Sequence, residues 1–79
     1  MNKKTIPLSG LHSGASAVIH SVEGEGHVFA RKLTVLGILP GKPVRKISGS
    51  AGGPIVFEIG GITLALGRNI AGRILVIPD

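Results

Sequence analysis

At 79 residues the chain has room for one domain, whose core withdraws only a little over ~60% of the unfolded surface from water. The composition is 43% hydrophobic with 13 glycines and no cysteine, which excludes a disulfide framework or a thiolate metal site and leaves the core to hold the fold unaided. Nine lysines and arginines against Glu23, Glu25, Glu58 and Asp79 give a net charge of +5, which favours an acidic partner, a nucleic acid or an anionic surface.

Lys3 and Lys4 have the basic character of a signal-peptide start, but Pro7 and Gly10 in TIPLSGLHSG interrupt the chain before an apolar region forms. No apolar run reaches the ~18 residues that span a bilayer. The expectation is a single cytoplasmic domain over residues 1–79 with no direct membrane insertion. Phe29 and Phe57 are the only aromatic residues and both sit in apolar patterns, so the exposed rings on which single-stranded nucleic acids stack are missing. The same shortage removes the aromatic groove that holds polyproline ligands.

ASAVIHSV, from Ala15 to Val22, is β-branched and free of internal Pro and Gly, and reads as the first strand. Val18, His20 and Val22 share one face; Ala17, Ile19 and Ser21 share the other. In HVFARKLTVLG the residues Phe29, Leu33 and Leu36 fall at i, i+4 and i+7, which predicts one helix with Arg31 and Lys32 off the apolar stripe. Gly37 closes it in the left-handed conformation, with Ile38 packing back on Leu33, and Pro40-Gly41 turns the chain. KPVRKIS is the next strand; its apolar residues Val44 and Ile47 break a period of two, which predicts a bulge.

GSAGG, residues 49–53, reads as a loop. PIVFEI then places Ile55, Phe57 and Ile59 on one face, and after Gly60-Gly61 the ITLAL segment places Ile62, Leu64 and Leu66 together, the pattern of a hairpin with one apolar face. GRNIAG is a turn or a single helical turn, and RILVI is a closing strand ending at Pro78. The predicted fold is mainly β: a small SH3-like five-stranded barrel with one α-helix inserted after the first strand.

PLSGL near the start, Gly14, RKL..LGILPG at the helix end, GGPI before the third strand, ITLALGR and the final ILV occur in an order that resembles the FeoA family, small cytoplasmic proteins of bacterial ferrous iron uptake. The resemblance runs from about Ile6 to Val76 and implies an SH3-like barrel, in agreement with the reading from the residues. It also implies a non-enzymatic accessory role, exercised through protein–protein contact with FeoB, a membrane permease with a cytosolic G domain.

His12, His20 and His27, with Glu23 and Glu25, carry donors suited to transition metals such as Fe(II). They lack paired spacing and read as surface residues, so no metal site and no cofactor is assigned. VEGEGHV lacks the Lys-Ser/Thr of a phosphate-binding loop, and its glutamates would repel phosphate. No Ser, Thr or Lys has a base and an orienting acid beside it, which argues against an enzyme.

The basic set Arg31, Lys32, Lys42, Arg45, Lys46, Arg68 and Arg73 is, residue by residue, ordinary solvated surface. Charge and resemblance together single out Arg31, Lys32, Arg45 and Lys46 as the expected partner-binding face. Val28 and Val35 are left as core, contact patch or seam of a homo-oligomer. Two other readings stand beside the permease partner: a stand-alone relative of the SH3-like domain of iron-dependent repressors, and a small-barrel nucleic-acid binder.

Overall fold

Beta-branched and apolar residues dominate most of the stretches between glycines, and most of those stretches are strands, with the helical stretch Gly26–Val35 the main exception. The computed structural model describes residues 4–24, 26–49 and 52–79, with the backbone alone at residues 26–28. Its strands are β1 (Ile6–Pro7), β2 (Ser16–Val22), β3 (Pro43–Gly49), β4 (Ile55–Ile59), β5 (Ile62–Leu66) and β6 (Ile74–Pro78). They pair antiparallel in one six-stranded sheet of order β1-β6-β2-β3-β4-β5. A short 3-10 helix covers Leu8–Gly10, helix α1 (Gly26–Val35) joins β2 to β3, and helix α2 (Arg68–Gly72) joins β5 to β6.

The β4–β5 hairpin follows directly from its sequence. Ile59 pairs with Ile62 across Gly60 and Gly61, which have φ of 57° and 87°, the positive values that a two-residue hairpin loop matching the strand twist needs. Ile55, Phe57 and Ile59 point into the core, facing Leu66, Leu64 and Ile62 of β5. Burial fades toward the hairpin tip, where Ile62 is 56% exposed. Full burial of a side chain the size of Phe57 contributes about 1.5–3 kcal/mol.

β1 is a sixth strand beyond the expected five. It has only two residues, Ile6 opposite Val76 and Pro7 opposite Leu75, too short for any alternation to show in the sequence. The adjoining Leu8 and Leu11, spaced i and i+3 around the 3-10 helix, are fully buried core residues, and α2 packs against this turn with its Ala71 buried.

The expected bulge in β3 is present, as a register shift against β4 between Lys46 and Ser48 that leaves Ile47 exposed. A second shift, between Ile19 and Ser21 of β2 against β6, lies beside the outward His20 and brings Val22, which alternation would send outward with Val18, opposite Ile74 at the edge of the core. Such bulges bend and twist a strand, and the sheet curls around one buried cluster that includes Ala17, Ile19, Val44, Phe57, Ile74 and Val76.

Helix α1 corrects one detail of the apolar stripe. Phe29 packs against the core and Leu33 is buried, but Leu36 lies past the last helical residue and is exposed. Ile38 takes the inward position instead. The chain reverses at Gly37, with φ of 85°, so that Ile38 folds back over the helix end.

Candidate interaction surface

The basic residues are positioned by three different elements. On α1, Arg31 and Lys32 are exposed; the exposed Val35 follows Arg31 by four residues and Lys32 by three, and the exposed Leu36 follows Lys32 by four. That spacing places Arg31 and Lys32 beside Val35 on one helix surface, and Leu36, just past the helix end with its amide still donating to the Lys32 carbonyl at 3.2 Å, continues that surface beside Lys32. The result is a mixed patch of two cations and two apolar side chains, with Val35 81% exposed. Thr34, between these residues, turns its hydroxyl back to donate to the Ala30 carbonyl at 2.9 Å.

Arg45 and Lys46 are neighbours on β3 and so point to opposite faces of the sheet. Arg45 is exposed, with its Nη2 3.8 Å from Oε1 of Glu58 on the paired strand. A solvated pair of this kind contributes about 0–1 kcal/mol and leaves most of the guanidinium open to other partners. Lys46 is half-buried opposite Phe57, its stem lying beside Gly49. The expected face is therefore split: Arg31 and Lys32 stay together, and Arg45 and Lys46 diverge.

Arg73 is more than solvated surface. Its Cζ lies 5.3 Å from the centroid of the Phe29 ring, a cation–π contact that joins the end of α2 to α1. The same ring lies over Gly24, where an added Cβ would come within 2.5 Å of Cδ2, and the Arg73 carbonyl accepts a bond from the Glu23 amide at 2.6 Å. Sequence spacing held no sign of this contact, because residues 24, 29 and 73 meet only through the fold.

A shallow cleft of about 350 Å³ opens on the sheet among Ser16, Val18, Pro43, Arg45, Glu58 and Asp79. Val18 and Asp79 also line a second, open depression with Lys4, Ile77 and Pro78. Neither lining includes a histidine.

The metal-ligand candidates are dispersed. His12, His20 and Glu23 are exposed on different segments, Glu25 and the His27 side chain lie outside the described residues, and so does the side chain of Val28. Among the described residues no three His, Asp or Glu side chains gather at a common point. Nor, among them, is any helix long and apolar enough to cross a membrane.

The fold recurs in solved structures. An iron uptake regulatory protein, FeoA, superposes with a TM-score of 0.88 at 30% identity, over 96% of this chain and 100% of its own. The FeoA of Stenotrophomonas maltophilia, a prokaryotic SH3 domain protein crystallised with zinc, gives 0.76 at 33% identity, over 87% and 86%. A manganese-dependent transcriptional repressor gives 0.89 at 19% identity, where the whole of this chain spans 44% of the repressor, a likeness of fold alone. Comparison with curated proteins finds no match. The FeoA domain matches residues 6–78, from the first residue of β1 to the last of β6, and with the SH3-like fold it shows that the chain belongs to the FeoA family.

Proposed function

We propose that this protein is a non-enzymatic accessory factor of bacterial ferrous iron uptake that works in the cytoplasm by docking on a FeoB-type permease. Family membership supports the process, and the basic–apolar surface of α1 supports the mode of action. Arg31, Lys32, Val35 and Leu36 form an exposed patch of the composition that meets an acidic protein surface with an apolar centre. Arg45 and Lys46 add positive potential from β3 and speed the approach of that surface.

The carrying observation is the Val35–Leu36 pair, left in water beside two cations although a chain this short has little apolar surface to spare. Co-purification tests the reading: tagged protein should retain the permease from solubilised membranes, and Val35→Ser with Leu36→Ser should release it. If the permease elutes equally from both, docking through α1 is wrong.

The likeness to the repressor supports a second reading, in which the domain makes regulatory contacts of the kind an SH3-like appendage makes within a larger protein. A nucleic-acid role would instead appear as DNA or RNA affinity falling steeply with salt.

A further inference from the structure

The two edges of the sheet are built very differently. β1 closes one side with two residues, one of them Pro7, which has no amide to offer another chain. β5 closes the other with the five residues ITLAL, which contain no charge, no proline and no register shift. Such an edge is a template for pairing unless something is meant to occupy it.

Its free groups can be named. Ile59 and Ile62 flank the two-residue loop and form a hydrogen-bonded pair, so by alternation Leu64 and Leu66 also bond to β4, whereas the amides and carbonyls of Thr63 and Ala65 face outward. Neither residue has a backbone partner outside the β4–β5 ladder among the described residues, and both are exposed.

We propose that β5 is a docking strand, and that an extended segment of an acidic partner protein adds to it through the main-chain groups of Thr63 and Ala65. The inference rests on the functional reading above and adds to the α1 patch a second contact on the same partner. Charge selects the occupant. The chain as a whole is basic, with exposed Arg68 just past Leu66 at one end of β5 and exposed Lys42 on the β3 side of the hairpin tip, its Cδ 3.8 Å from a Cβ placed on Gly60. Glu58, opposite Thr63 on β4, is paired with Arg45. A second copy carries the same net charge of +5, and one strand-to-strand contact falls far below the ~1,200 Å² typical of a stable dimer. Main-chain bonds give affinity in strand addition.

The test uses the whole chain and a full-length FeoB permease in detergent. Thr63→Val keeps the outward amide and is expected to bind as wild type. Thr63→Pro and Ala65→Pro each delete one outward amide without touching the bonds to β4, and each is expected to weaken binding by about tenfold or more while circular dichroism stays unchanged. In the wild type, the Thr63 and Ala65 amides should exchange rapidly with solvent alone and become protected when the permease is added. If a proline variant does not fold, this exchange measurement decides by itself.

Wild-type binding that survives both proline substitutions, or that leaves the two amides unprotected, overturns the docking strand and leaves the functional reading standing. Absence of any wild-type binding removes both. Protection of the two amides by raising the protein's own concentration, without permease, assigns the edge to a second copy and also overturns the proposal.

Discussion

The amide of Ile38 donates to the carbonyl of Leu33 at 2.9 Å, and the two side chains are both buried, 1% and 3% exposed. Together with the bond from the Gly37 amide to the Thr34 carbonyl at 2.9 Å, this is a complete Schellman cap. It stops α1 and aims the chain at Leu39-Pro40-Gly41-Lys42, a turn closed by the Lys42 amide on the Leu39 carbonyl. The turn is tied in both directions to Ile19 of β2: the Gly41 amide donates to the Ile19 carbonyl at 2.7 Å, and the Ile19 amide donates to the Lys42 carbonyl at 2.9 Å. The helix is thus broken so that β3 starts in register beside β2.

Gly37→Val tests the cap. No atom lies within 4 Å of a Cβ built at Gly37, so the cost is conformational: φ of 85° strains a β-branched residue. The variant is expected to lose more than ~1 kcal/mol, and Gly37→Asn, which tolerates left-handed backbone, distinctly less. Equal denaturation midpoints for wild type and Gly37→Val would show that the cap contributes nothing.

Gly24→Ala tests the Phe29 contact. The new methyl group would sit 2.5 Å from Cδ2 and 2.9 Å from Cε2 of the ring, so Phe29 must leave its place over Gly24 and under Arg73. A loss of about 1–3 kcal/mol is expected. Arg73→Ala should cost about 0.5–1 kcal/mol in the wild type and nothing in the Gly24→Ala background. Additive losses in that cycle would show that the ring had kept its contact.

Phe57→Ala empties the centre of the core, where the ring has no exposed surface. The expected loss is about 3–5 kcal/mol, a large part of the ~5–15 kcal/mol that holds a small domain together. Thermal unfolding followed by circular dichroism should show a strongly lowered or vanished transition. A shift of only a few degrees would mean that the sheet can close over the space.

Removal of metal is expected to leave the fold unchanged. His12, His20 and Glu23 are separate and exposed, and the described residues gather no donor set. The melting temperature should be the same with and without a strong chelator. A fall of many degrees on chelation would reveal a structural site.

Most of the fold was legible because local chemistry and tertiary structure agree. The Gly37 stop, the Gly60-Gly61 hairpin and the irregular strand around Ile47 all follow from turn residues and apolar spacing, and all appear where expected. The misses have physical causes. β1 is too short to carry a period, and its place is set by pairing with β6. Leu36 continues the helical spacing, but the cap passes its inward role to Ile38.

The surface was less legible. Arg45 and Lys46 are adjacent in sequence, yet strand geometry sends them apart, and the contact of Arg73 with Phe29 joins residues far apart in the chain. Charge counting finds that a basic surface exists; only the fold decides which cations share it.

The most direct test of docking through a basic face is the association rate on the permease at two ionic strengths. It compares wild type with the Arg31→Glu/Lys32→Glu pair, the Arg45→Glu/Lys46→Glu pair and all four reversals together, with circular dichroism as the control for folding. The account predicts folded variants, with association of the helix pair slowed by about tenfold at low salt and far less at high salt, and a smaller effect from the strand pair. A folded quadruple variant that associates at the wild-type rate at both ionic strengths would contradict it.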